Sequence, residues 1–190
     1  MNESADKVLR YWFANAPDMD KWFLKSTEYD AEIRAHFENL LSEAENGKCF
    51  HWLLNKRTFL AHIILLDQFS RHIYRGTGDA FRNDQGALIF ASMGIDVYYD
   101  SMDRYEKMFA LMPFMHSETL VYQQKGLAFV EKELAESPND PFWTNVHGHT
   151  VGHLKVIERF GRFPKRNAAL DRGTTPEESA YILETPDIPY

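Results

Sequence analysis

Apolar residues recur at spacings of three and four along nearly every segment of this 190-residue chain, and no segment alternates with a period of two. That pattern constrains the fold more than any other feature. A 3.6-residue period gathers such residues on one helix face, whereas a half-buried strand needs strict alternation. Val8, Leu9, Trp12 and Phe13 trace the first stripe, which Pro17 interrupts. A second helix opens at Ser26 or Thr27 as N-cap, carries Ile33, Phe37, Leu40, Leu41 and Ala44, and stops at Gly47. A third covers about 57–74 and ends before Gly76 and Gly78.

The second half repeats the logic. Ala87, Leu88, Phe90, Ala91 and Ile95 mark a helix over about 80–98, where Gly86 and Gly94 either weaken it or let a neighbour approach closely. A short helix at about 105–112 is closed by Pro113. From Ser117, Leu120, Leu127 and Leu134 recur every seven residues with Val130 beside them, up to a turn at 137–141. The next helix spans about 141–160 and ends at Gly161. Thr175-Pro176-Glu177-Glu178 then gives a Thr N-cap, Pro at the first helical position and Glu three residues after the cap. The pattern predicts an all-α fold of about eight helices. Short connections favour antiparallel neighbours stacked as helical hairpins. One domain is expected over 1–183, with a frayed tail at 184–190 carrying Pro186 and Pro189. No 34-residue repeat is legible, so any helical-repeat character is degenerate.

Composition excludes several function classes. Aromatic residues make up 14% of the chain and hydrophobic residues 44%, enough for a packed core. Lys plus Arg is 21 against 28 for Asp plus Glu, a net charge of −7, which argues against nucleic acid as a partner. The longest apolar stretch, near Phe59 to Phe69, is broken by His62 and Asp67, so no membrane span is expected. The N-terminus lacks a basic region followed by an apolar core, as a signal peptide would need. Cys49 is the only cysteine, which rules out an intrachain disulfide and fits a cytoplasmic setting.

Three blocks place polar chemistry where a helical core would not want it. In "LLDQFSRHIYRG", Asp67 and Arg71 stand four apart with the acid first, the favourable order for an ion pair, beside Ile63 and Ile64. In "MPFMHSE", His116 and Glu118 stand at a helix start, where the dipole stabilises a carboxylate, and Gln123 follows. In "HGHTVGHLKVIERFGRFPKRN", His149 and His153 are four apart, yet the Glu of a zinc-protease helix is missing. A metal there would need a third ligand such as Glu118, Asp67 or His116, so no metal and no cofactor is read from the chain. From Lys155 to Arg172, six basic residues face two acids, a local excess of four in an acidic protein. Arginine forks of this kind suit carboxylates and phosphates.

Together, "LLDQFSRHIYRGT", "MPFMHSE" with Gln123, and "HLKVIERFGRFPKRNAALDRGTTPEE" resemble the signature blocks of the bacterial family known as domain of unknown function 924. The resemblance covers nearly the whole chain. It implies an all-helical fold similar to a tetratricopeptide-repeat superhelix, and no established activity. Carried over by position, the family pattern falls on Asp67, Gln68, Arg71, His116, Ser117, Glu118 and Gln123. It continues on His153, on the run from Phe160 to Pro164, and on Arg166 and Asn167. Lys165 stands where His is usual, which removes a histidine beside Arg166, and Asp171 stands where Gly is usual. His149 and His72 fall outside the pattern, and His72 is expected at the surface.

Three readings follow. In the first, the blocks form a site for a small anionic molecule. His116 or His153 would carry a proton, and Glu118 or Asp67 would orient the imidazole. Arg71, Arg162 and Arg166 would hold the anion, with Gln68, Gln123 and Asn167 as further ligand contacts. In the second, the arginines clasp an acidic peptide in a helical groove. In the third, the polar cluster is structural.

Overall fold

The structure, a computed structural model, describes residues 2–14 and 22–185. Pro17 and the tail residues 186–190 lie outside them. The described residues form eight helices and no strand. The chain divides into two compact units, Met1–Pro113 and Phe114–Tyr190.

In the first unit, α1 (Glu3–Phe13) is capped by Asn2, whose side chain accepts from the Ala5 N–H. α2 (Thr27–Glu45) is capped by Ser26, and Gly47 beyond it takes a φ of 76°. A 3-10 turn at Phe50–Leu54 leads to α3, which starts as Lys56–Ile63. The helix then loosens into a π turn over Ile64–Phe69 and closes as Ser70–Ile73. The expected helix at about 80–98 begins later: residues Gly78–Phe81 form a 3-10 turn, and α4 is Asp84–Tyr98. α5 (Arg104–Met115) contains Pro113 instead of ending before it, so the expected stop at Met112 is corrected. A proline in the last turn interrupts only the few backbone bonds left there. The division between units falls inside that turn with no linker, which is why the sequence offers no boundary.

The first unit is built around aromatic rings. Trp12, Trp22, Phe37, Phe69 and Phe109 are all 1% exposed or less. Trp22 stands edge-on to Phe109 with ring centres 4.9 Å apart, and its Nε1–H donates to the Trp12 carbonyl at 2.6 Å. Gly94 in α4 lies against the Phe59 ring, so the close approach expected of a glycine holds there, while Gly86 has only ordinary contact with Leu66.

In the second unit, α6 (Leu120–Glu136) and α7 (Pro141–Phe160) pack on each other across the short turn 137–140, the hairpin expected from the sequence. The heptad-spaced leucines do not make the seam, however. Leu120 is 41% exposed, and the buried positions of α6 are Gln123, Gly126, Val130 and Glu133. Gly161 ends α7 with a φ of 67°. α8 (Pro176–Glu184) carries the full capping box, Thr175 and Glu178 each bonding the other's backbone N–H. Val156, Ile157, Phe163 and Tyr181 form the apolar core between α7 and α8. No helix among the described residues is long and apolar enough to cross a membrane.

Candidate functional site

The π turn explains how the first block places its polar side chains. All six residues Ile64–Phe69 are buried, and the wide turn carries Asp67 at 0% exposure. Such turns recur at functional sites because they free backbone groups and re-aim side chains. A buried carboxylate needs donors. Asp67 receives them from Arg71 Nη1 at 3.3 Å and from Gln68 Nε2 at 2.5 Å. Gln68 Nε2 also approaches Met112 Sδ at 2.9 Å.

Arg71 does more than answer Asp67. Its fork grips Asp84 through two bonds, 2.8 and 3.1 Å, and it donates to the Asp67 carbonyl at 2.8 Å. Burial opposes its charge, yet Asp67 and Asp84 outweigh it and raise the guanidinium pKa above its ordinary value. Asp84 was not among the residues singled out from the sequence. It starts α4, where an acid reads as dipole compensation, and its 13-residue separation from Arg71 leaves no local signal.

His72 is 5% exposed, which corrects its expected surface position. Its Nδ1 lies 2.7 Å from Asp30 Oδ1, and Arg75 grips the same carboxylate. Burial lowers its pKa, while Asp30 opposes the shift.

In the second unit the polar groups gather around two backbone hubs, Met115 and Phe163. The Met115 carbonyl accepts from His153 Nδ1 at 3.0 Å and from Gln123 Nε2 at 2.6 Å. Gln123 Nε2 also donates to the Ser117 carbonyl at 2.7 Å. Two carbonyl acceptors fix which end of the carboxamide faces them. The buried Oε1 of Gln123 has no hydrogen-bond partner among the described residues. Phe163 donates its N–H to Glu118 at 2.8 Å and accepts from Arg172 Nη2 at 3.0 Å. Arg172 clasps Glu118 bidentately at 2.7 and 3.0 Å. Burial raises the Glu118 pKa, but Arg172, the Phe163 N–H and the Arg166 charge together hold it below the usual range.

His153 is strongly perturbed. Burial, then the neighbouring His116, lowers its pKa to about 3, against the Met115 bond, which favours the charged form; Arg166 adds to the lowering. Its imidazole is therefore neutral at ordinary pH. A carbonyl can only accept, so Nδ1 carries the hydrogen and Nε2 is the acceptor nitrogen. The His116 and His153 ring centres are 6.2 Å apart. Phe163 packs against both His153, with ring centres 5.5 Å apart, and the Arg166 guanidinium, 4.4 Å from its ring centre. Arg166 is only 3% exposed.

The other arginines of the third block are engaged elsewhere, Arg159 with Glu177. Arg162 pairs with Glu178 at 2.6 and 2.8 Å and donates to the Gly173 carbonyl. That bond, with the Thr175 N–H, takes Glu178 down to about 2. Asn167 is 1% exposed, with Nδ2 3.4 Å from Thr174 Oγ1. Lys165 Nζ donates to the Thr185 carbonyl. Arg172 and Glu178 are thus partners that sequence reading did not single out. The capping box marks Glu178 only as a helix start, and Arg172 is one base among six.

His149 is exposed, and no group of three or more His, Cys, Asp or Glu side chains among the described residues is placed to hold a metal ion. The second unit therefore presents an all-helical frame holding a neutral imidazole, a second histidine and a buried guanidinium around two backbone hubs. The family model for a bacterial protein of unknown function, DUF924, matches residues 8–186, and the chain belongs to that family. A solved structure of a protein of unknown function from Agrobacterium tumefaciens is similar over 95% of this chain and 97% of its own, with 31% identity and a TM-score of 0.84. A search of the curated proteins finds no match.

Proposed function

We propose that the second unit binds a small anionic ligand beside His116, His153 and Arg166, with His153 Nε2 oriented to accept a hydrogen bond from it. The observation that supports this most directly is the state of His153. It is neutral, its tautomer is fixed by the Met115 carbonyl, and a buried guanidinium is close enough to lower its pKa. A neutral acceptor nitrogen fixed before the ligand arrives costs little to order on binding, and an anion must be met by a cation. Glu118 and Arg172 would hold the Phe163 hub in place, and Gln123 would hold Met115 and Ser117. The lone, buried Cys49 supports a cytoplasmic setting.

The test is calorimetric titration with phosphate, small mono- and dicarboxylates and an acidic peptide. At least one small anion should saturate, and His153→Ala should weaken it at least about tenfold while melting remains cooperative. Absence of binding by any of them, or equal binding by the variant, would overturn the proposal. Saturation by the peptide alone would favour the groove reading.

A structural role is favoured for the Asp67, Gln68 and Arg71 block. There each charge has an opposite partner within the first unit: Arg71 stands between Asp67 and Asp84. Arg162, held by Glu178 within the second unit, is likewise a paired charge.

A further inference from the structure

We propose a second binding site, in the first unit, for a small carboxylate with an aromatic or aliphatic body. At the end of α1 a surface recess of about 320 Å³ is lined by Leu9, Phe13 and Tyr105 together with Arg10, Arg57, Asp103 and Glu106. None of these residues belongs to the three blocks. The volume is at the lower end of small-molecule sites.

The floor is apolar and aromatic. Phe13 is held edge-on by Trp22 and Phe109, with ring centres 6.0 and 5.8 Å away. Tyr105 is held by Trp22 at 5.5 Å. An apolar ligand face therefore meets aromatic rings that are already packed against their neighbours.

The charged rim decides the sign of the ligand. Asp103 Oδ1 accepts from the Tyr105 and Glu106 backbone N–H groups, both at 2.9 Å. Glu106 Oε2 accepts from the Asp103 N–H and from Lys56 Nζ, both at 3.1 Å. Those two acids form the capping box of α5 and are engaged there. Arg57 holds Asp6 through Nε and Nη2, at 3.1 and 2.9 Å. Arg10 has no ion-pair partner among the described residues, and it is exposed at the mouth of the recess. What the rim leaves for a ligand is a guanidinium donor. A carboxylate matches that fork, and an apolar body matches the floor.

Amide chemical-shift titration of the intact chain separates the possibilities. Benzoate should saturate and move the Phe13 and Tyr105 amides. Acetate, which has the charge without the body, should bind at least about tenfold more weakly, as should benzyl alcohol, which has the body without the charge. Benzylamine should not compete. Arg10→Gln should weaken benzoate about tenfold and leave the melting temperature unchanged, since that side chain makes no ion pair among the described residues. The proposal fails if benzoate shifts amides other than these, if benzylamine binds as well as benzoate, or if Arg10→Gln binds as the parent does.

Discussion

Asp171 holds a φ of 51°, the only described residue other than glycine in left-handed backbone. The family resemblance puts glycine at that position, and the geometry explains why. A Cβ makes this region unfavourable, although the short side chain of Asp tolerates it better than most. Asp171→Gly should therefore stabilise the fold by about 0.5–1 kcal/mol in urea unfolding, despite the greater freedom glycine has when unfolded. Gly94 shows the opposite requirement. A methyl there would come 2.7 Å from Phe59 Cδ2, and Phe59 is fully buried. Gly94→Ala should lose about 1–3 kcal/mol by overpacking, measured the same way, although alanine is the better helix former.

At the scale of elements, the π turn in α3 is stable because its carboxylate is answered. Removing Arg71 leaves Asp67 at 0% exposure and Asp84 at 17% without their common cation. Arg71→Met should destabilise by about 3 kcal/mol, and adding Asp84→Asn should recover part of it. Full additivity of the two changes would show that the residues are not coupled. α8 depends on its start. Thr175 caps it, and Glu178 serves both the cap and Arg162. Thr175→Ala should lose about 1 kcal/mol, and amide exchange over 176–184 should accelerate more than elsewhere.

The whole molecule should be acid-sensitive through histidines kept neutral by burial. His62 packs against Phe90 with ring centres 4.0 Å apart, and burial lowers its pKa to about 4, assisted by the charge of His51. In the unfolded chain such a group titrates near 6.5. As pH falls below 6.5 the unfolded chain takes up the proton first, so stability declines until the folded pKa is reached and then levels off. His62 alone accounts for a loss of up to ~3 kcal/mol between pH 6.5 and 4. His153 and His72 shift in the same direction. Unfolding measured at pH 7 and 4.5 should show this decline, and His62→Leu should reduce it by about one proton's share.

The sequence by itself determined the helical class, most of the helices and several of their ends, because hydrophobic period and cap chemistry act within a few residues. Ser26, Gly161 and Thr175 each stand where the sequence places a helix end. Local rules also paired Asp67 with Arg71, and the two meet at 3.3 Å. What they could not assign were partners farther along the chain. Arg71 meets Asp84, Glu118 meets Arg172, Arg162 meets Glu178, and His153 meets the carbonyl of Met115, across separations of 13 to 54 residues. A guanidinium carries no preference for one acid over another until packing sets the distance. His72 shows the same limit, since helical period alone could not tell that Asp30 would be waiting for it inside. Only the tertiary structure decided those pairings, because the charge, the tautomer and the exposure of each group depend on atoms far away in the chain.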